Sequence, residues 1–517
     1  MAEDLPAELA DWPALTPSEA QLGELELLLS GAYAPLTGYL TTADLAAVAA
    51  RRELADGTPW PVPVTLIVPA AAVPDDATRV VLQDPEGSPL AVLHISERSL
   101  ADPAAATLRL AGKVTALRAP EHGPFRAMRR SPAEVREQAG GAPVLALTTR
   151  RPLTRRHIGQ LKHLASQLRA RSGAGAPKAA RILLLPLVGG PVEVVGKPEA
   201  LVRAVRAAAR SLPEGTTVVP VPLPPRANPA EELAAQAVVA AAHGATEVLI
   251  EGVGSLRSEE FKVFGVEVVG LPEWAYDPRS EVWRPLALIE PGAERSELSD
   301  GELGALLDSG DQVPAWLMPA DVAAELRRAR PPRSSRGLVV FFTGLSGSGK
   351  STLARDLRDA LLERGDRTVS LLDGDLVRRL LSAGLTFSRA DRDVNIARIG
   401  YVASEVARHG GIAICAPIAP YAQARAAVRE MVQEAGDFVL VHVSTPLAVC
   451  EERDRKGLYA KARAGLITGF TGISDPYEEP ADADLVVDTS AVSRQDALAG
   501  VLGLLTRGGW LAPASAD

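Results

Sequence analysis

Gly344-Leu345-Ser346-Gly347-Ser348-Gly349-Lys350-Ser351-Thr352 is the stretch whose reading decides the fold. An apolar run, Leu338 to Phe342, precedes it, and a helical pattern with Leu353, Leu357, Ala360 and Leu361 on one face follows. Strand, glycine loop and helix form the context of a phosphate-binding loop, and the spacing G-x-x-x-x-G-K-S is met at every fixed position. The loop from Gly344 through Ser346, Gly347, Ser348 and Gly349 to Thr352 is expected to point its backbone N–H groups into one concavity. The helix N-terminus adds partial positive charge beneath the phosphates. Lys350 is expected to reach the β- and γ-phosphates of ATP, and the Ser351 hydroxyl to sit on Mg²⁺. A chance glycine turn is the competing reading, and the flanking strand and helix count against it.

Composition bounds the rest. A chain of 517 residues accommodates two to four domains, and a hydrophobic fraction of 47% with 23% charged residues is that of an ordinary soluble protein. The net charge of −9 argues against general nucleic-acid binding. The two cysteines, Cys415 and Cys450, lie in apolar surroundings without metal-ligand spacing and are expected to be buried thiols. The acidic opening, Met1-Ala2-Glu3-Asp4, lacks an apolar h-region, and no uncharged apolar stretch of about 18 residues follows. A cytoplasmic protein with no membrane span is the expectation.

Outward from the loop, three regions separate. Within 1–123, short β-like runs (Val62 to Val68, Thr78 to Leu82, Leu90 to Ile95) alternate with turn residues and predict a mostly β domain. Within 124–328, strand-like runs at Val144 to Thr148, Ile182 to Leu187, Thr217 to Val221 and Glu247 to Ile250 alternate with helical stretches at Ile158 to Arg171, Pro198 to Arg210 and Pro229 to His243. That alternation predicts a parallel sheet covered on both faces, with a small helical part at its end. The basic, proline-containing residues 329–336 read as a solvated linker, and 337–517 as the phosphate-loop domain, an α/β doubly wound sheet.

The chemistry concentrates in that last domain. A second strand, Thr368 to Leu372, ends in Asp373-Gly374-Asp375, two carboxylates placed for Mg²⁺ and for a hydroxyl nucleophile. Arg378 follows. The segment Phe387-Ser388…Asp391-Arg392…Asn395-Ile396…Arg398 sets Arg392 and Asn395 on one helical face, with Arg398 farther along. Arginines supply bidentate contacts to phosphate or sulfate. The segment Lys456-Gly457-Leu458-Tyr459 to Gly469-Phe470-Thr471-Gly472-Ile473 reads as a mobile lid, and Phe387 and Phe470 suit a purine ring.

These motifs, together with Pro420-Tyr421 and Asp475-Pro476-Tyr477-Glu478, closely resemble adenylylsulfate (APS) kinase across Phe341 to Thr489. The resemblance implies transfer of the γ-phosphate of ATP to the 3′-hydroxyl of adenylylsulfate, giving 3′-phosphoadenylylsulfate (PAPS). It implies Asp375 as base or orienter and Mg²⁺ ligand, with Asp373 and Lys350 beside it. Arg378, Arg392, Asn395, Arg398, Pro420 and Lys456 would hold the acceptor, and Phe387 and Phe470 would sandwich its adenine. Leu376, Ala419 and Thr468 depart from the family, which has Asn, Ser and Lys there. Ala419 removes a serine proposed as a phosphorylation site and favours direct in-line transfer.

Gly31 to Tyr39 and Asp56 to Leu66 resemble ATP sulfurylase, and the likeness extends over about Gln21 to Arg328. It implies a Rossmann-like nucleotidylyltransferase domain and a homo-oligomer. The family's Gln-x-Arg-Asn-Pro-x-His-x-x-His falls on Thr148-Thr149-Arg150-Arg151-Pro152-Leu153-Thr154-Arg155-Arg156-His157, keeping only Arg150, Pro152 and His157 of its fixed residues. Val253-Gly254 stands for Asp-His, and Glu231 for an arginine. Losing one preorganised donor costs ~10²–10³ in rate in a well-studied case. The expectation is an active kinase with a degenerate sulfurylase-like region. The alternatives are a bifunctional enzyme, a nucleotide-binding regulator without turnover, and a kinase of another nucleotide-like acceptor.

Overall fold

The computed structural model describes residues 9, 11–102, 104–118, 124–171, 180–190, 192, 194, 196–251, 265–270, 273–386, 388–454 and 456–512, the side chains of 375, 376 and 378 excepted. The chain divides into two compact units, Met1–Gly304 with Val313–Ala329, and Ala305–Gln312 with Arg330–Asp517.

The first unit opens on a six-stranded sheet. Its spine is the antiparallel pair Pro89–Asp102 and Thr107–Ala116, joined by Arg79–Gln83 on one side and by Gly38–Tyr39 and Leu66–Pro69 on the other. The strand expected from Val62 begins only at Leu66, since Pro61 and Pro63 carry no amide donor for a ladder. Two helices, Glu19–Ser30 and Thr42–Arg51, accompany the sheet, each opened by a capping box, Ser18 with Gln21 and Thr41 with Asp44. A five-stranded parallel sheet follows, in the order Glu267–Val269, Glu247–Leu249, Val144–Thr149, Arg181–Pro186, Thr217–Val218. Val144–Thr149 is buried along its whole length, as a strand covered on both faces must be. An unanticipated hairpin, Trp274–Asp277 with Val282–Pro285, groups Tyr276, Trp283 and Trp316, their ring centroids 5.3–6.0 Å apart.

The second unit is a parallel sheet in the order Val369–Asp373, Ile412–Ala416, Leu338–Thr343, Asp437–Val443, Leu485–Val487. The central strand Leu338–Thr343 is buried throughout. Its side chains alternate between two cores. Leu338, Val340 and Phe342 meet Leu353, Leu357 and Leu361 of the helix Lys350–Arg364, together with Val501 and Leu505. Val339 and Phe341 meet Ile396, Ile399, Val428 and Val432 on the other face. Helices on both faces make this a doubly wound sheet.

The basic stretch expected to be a solvated linker is ordered instead. Arg330 places Nε and Nη2 at 2.7 and 2.8 Å from the Asp308 carboxylate, Arg333 Nε lies 3.7 Å from it, and Arg336 bonds it as well. Arg336 also reaches Asp437 at 3.3 Å, and the Arg333 guanidinium lies over the Trp510 ring at 5.4 Å. A composition that reads as linker thus becomes a clasp, because one carboxylate from an earlier helix collects the positive charge. Burial pushes the Asp308 carboxyl up, but the hydrogen bonds and charges of Arg330 and Arg336 outweigh it and hold it at about 2.

A depressed carboxyl contributes stability that is present above its ordinary value of 3.8 and lost as pH falls through about 2. We expect the melting temperature of the C-terminal unit to fall between pH 4 and pH 2 by more in wild type than in Asp308→Asn. At pH 7 that variant is expected to lose about 1–3 kcal/mol, from charge-assisted hydrogen bonds. Calorimetric melting across that pH range checks both.

Candidate active site

Parallel strands bring their carboxyl ends to one edge, and the phosphate loop leaves the central strand there. Gly344 has φ +143°, and a Cβ on it would stand 2.3 Å from the Val443 carbonyl oxygen, so the loop can pass its neighbour only with glycine. The Ser348 carbonyl accepts from the Thr445 hydroxyl at 3.0 Å and the Thr489 hydroxyl at 2.8 Å, and Arg453 donates to Thr489 at 2.7 Å. Lys350 is 6% exposed. Its Nζ donates to the Leu345 carbonyl at 2.6 Å, and the Ser348 Oγ lies at 3.4 Å. Burial lowers the Lys350 ammonium to about 8, against the pull of Cys450 and Asp373. The Ser351 hydroxyl donates to Asp373 Oδ1 at 3.2 Å. Expectation named Ser351 and Asp375 as Mg²⁺ ligands. Among the described residues the partner of Ser351 is Asp373, because the strand Val369–Asp373 ends there and the backbone turns into the helix Gly374–Leu380. The side chains of Asp375 and Arg378, and Phe387, lie outside the described residues.

The helix Arg389–Arg408, capped by Ser388, carries the next group. Arg392 Nη1 donates to Thr471 Oγ1 at 2.8 Å and to Asp475 Oδ2 at 2.6 Å, and Nη2 donates to the Gly469 carbonyl. Asn395 Oδ1 is buried without a partner. Arg398, expected at the acceptor, donates to the Leu381 carbonyl at 2.7 Å instead. The Pro420 carbonyl accepts from Glu478 N at 2.9 Å, and Ala419 before it holds φ +46°, its carbonyl bonded by Arg425 at 2.8 Å. Lys456 is exposed in the turn before Leu458–Arg463. Phe470 is not an open platform. It packs edge-on against Tyr459, centroids 5.0 Å apart, in a small core with Cys450, Ala462 and Leu345, because a large apolar side chain in a lid buries itself against the nearest apolar surface. Tyr459, Thr471, Asp475 and Tyr477 join the site without having been assigned a role from the sequence. The run Asp475-Pro476-Tyr477-Glu478 was the available signal.

In the N-terminal unit, the residues aligned with the sulfurylase motif hold one another. Thr148 Oγ1 donates to Gln236 at 2.7 Å, and Arg150 pairs with Glu232 at 2.9 Å and donates to the Leu223 carbonyl at 3.0 Å. Arg151 pairs with Asp300, and Arg156 pairs with Glu297 at 2.7 Å and Glu251 at 3.0 Å. His157 is buried, its Nδ1 2.9 Å from Thr154 Oγ1 and its Nε2 2.5 Å from Glu251. Burial pushes Glu251 up, and contacts with His157, Arg151 and Arg156 outweigh it and hold the carboxyl at about 2. Val253-Gly254 lies outside the described residues.

Residues 336–488 match the adenylylsulphate kinase family, 126–329 the ATP-sulfurylase family and 1–109 a PUA-like domain. The chain is 36% identical to a sulfate adenylyltransferase of Chaetomium globosum, over 98% of this chain and 96% of that one, and 35% identical to one of Phaeosphaeria nodorum over the same shares. Among solved structures it is similar to the hexameric APS kinase from Thiobacillus denitrificans, with a TM-score of 0.80 and 36% identity, over 98% of this chain and 95% of that one. No helix among the described residues is long and apolar enough to cross a membrane.

A lysine held at about 8 takes up a proton when a polyanion binds beside it, so ATP binding at pH 8–9 should be accompanied by proton uptake. We expect calorimetric titrations in buffers of different ionisation enthalpy to show that uptake at pH 8.5, less of it at pH 6.5, and none in Lys350→Met.

Proposed function

The chain belongs to the sulfate adenylyltransferase family, in the form that carries a C-terminal adenylylsulphate kinase domain, and from that premise we propose that its working activity is the phosphorylation of adenylylsulfate at the 3′-hydroxyl by ATP. The observation that carries the kinase half is the Lys350, Ser351 and Asp373 grouping at the edge of the parallel sheet. Lys350 steadies the phosphate oxygens of ATP, and the loop N–H groups surround them. The Ser351 hydroxyl and the Asp373 carboxylate are hard oxygen donors of the kind Mg²⁺ takes, and the ion would neutralise charge on the β- and γ-phosphates. Asp375, in the first turn after Asp373, orients the acceptor hydroxyl and takes its proton. The hydroxyl oxygen bonds to the γ-phosphorus, the bond to the bridging oxygen breaks, and ADP leaves. Asn395, with its unpartnered buried oxygen, suits a hydroxyl or amine of the acceptor. Assembly into dimers or larger oligomers belongs to the same reading.

For the sulfurylase-like region we infer loss of activity. Arg150, Arg151 and Arg156 lie in the segment that resembles the family's nucleotide motif, and each faces a carboxylate of the same unit. Incoming anions would have to displace those partners. A bifunctional enzyme is the second reading. Full-length similarity to proteins named sulfate adenylyltransferase favours it, and so does Arg150 Nη1, which is buried without a partner.

Purified chain supplied with ATP, Mg²⁺ and adenylylsulfate is expected to form PAPS. Lys350→Ala and Asp375→Asn are each expected to lower kcat about 10²-fold or more, as loss of preorganised charge at a transition state does. A chain that binds both nucleotides yet forms no PAPS above background would remove the kinase reading. In the Lys350→Ala background, adenylylsulfate with pyrophosphate is expected to give no ATP. ATP formation there, abolished by Arg150→Ala, would establish the bifunctional reading.

A further inference from the structure

The buried guanidinium of Arg392 has company that neither the loop motif nor the acceptor motif explains. Arg392 is 9% exposed, and its three bonds all run to the segment Gly469–Asp475, to the Gly469 carbonyl, the Thr471 hydroxyl and the Asp475 carboxylate. Asp475 Oδ2 also accepts from the Tyr421 hydroxyl at 2.7 Å, and the Arg389 guanidinium lies over the Tyr421 ring at 4.4 Å. The carboxylate therefore ties two elements together, the helix Arg389–Arg408 and the Pro420-Tyr421 turn.

The same segment presses on the phosphate loop at two points. Phe470 packs against Tyr459, whose hydroxyl donates to the Ser346 carbonyl at 2.8 Å. Gly472, at φ +88°, leaves room for Leu345, whose Cδ2 would stand 3.0 Å from any Cβ there. Leu345 is the residue whose carbonyl takes the Lys350 ammonium. One continuous set of contacts thus runs from Arg392 through the 469–475 segment to the donor loop.

Resting on the acceptor reading above, we propose that Asp475 is a positioning residue: it fixes Arg392 beside the acceptor and fastens the 469–475 segment against the phosphate loop, with Tyr421 as its second anchor. A charged partner is what keeps a buried guanidinium in one place, since removing one member of such a pair leaves the other uncompensated. Asp475 carries this role through its charge. Tyr421 carries it by fixing which oxygen faces Arg392.

The test compares wild type, Asp475→Asn and Tyr421→Phe as full chains, with adenylylsulfate and ATP varied separately. Asp475→Asn is expected to raise KM for adenylylsulfate about tenfold or more, with kcat and KM for ATP within about threefold, the pattern of lost ground-state positioning. Tyr421→Phe, the milder change, is expected to raise that KM by a smaller factor and secures the result should Asp475→Asn fold poorly. Adenylylsulfate is also expected to slow trypsin cleavage at Lys461 and Arg463 in wild type and not in Asp475→Asn. An unchanged KM for adenylylsulfate in both variants would overturn the proposal, as would equal losses for both substrates with a lowered melting temperature. Should wild type form no PAPS, the proposed function fails, and the trypsin comparison still decides the role of Asp475.

Discussion

The pairing of Leu338–Thr343 with a parallel neighbour on each side, Ile412–Ala416 and Asp437–Val443, is the constraint on which the catalytic unit depends. Register fixes direction. Because all the strands run the same way, the turn after Thr343, the Asp373 end of its sheet-mate, the Ala419-Pro420 turn and Thr445 arrive at one edge. The chemistry follows from that edge. Thr343 itself, buried at the strand end, donates to the Ile418 carbonyl at 2.7 Å and lies 3.0 Å from the Tyr477 hydroxyl, so the strand also fixes the loops around it.

In the N-terminal unit the core and the cleft rest on different physical terms. Its parallel sheet is fully built, with Leu145, Leu147, Leu184 and Leu249 buried in the strands. The cleft is governed by charge pairs instead. Carboxylates at Glu232, Glu251, Glu297 and Asp300 each face an arginine. Such pairs satisfy desolvated groups, and breaking one strands a charge, so they resist being opened. The core depends on apolar area and the cleft on a few polar identities, and the two can change independently.

How much was legible from the sequence follows the same division. The phosphate loop was legible because its spacing is a backbone requirement, and the buried strands because they read as continuous apolar runs. Leu66–Pro69 was placed too early because Pro61 and Pro63 look β-compatible by neighbourhood yet lack donors. The arginine clasp was misread because Asp308 is distant in sequence from the arginines it collects, and local composition carries no record of a distant partner. Phe470 was read as a stacking platform because its motif suggests an aromatic tip, whereas its surroundings bury it. Spacing set Arg392 and Asn395 on one helical face, but Asp475, which holds Arg392, comes from another segment, and only the folded chain brings them together.

The double hydrogen bond on the Ser348 carbonyl bears on the order of assembly. One of its donors, Thr489, lies 141 residues later in the chain, beyond the last strand of the sheet. The loop's own glycines specify its curvature locally, but part of its support comes from this distant residue. Contacts of such long sequence separation form late and slowly. A chain that ends before Thr489 keeps the glycine signature and the Thr445 hydroxyl but lacks the second strut behind the loop.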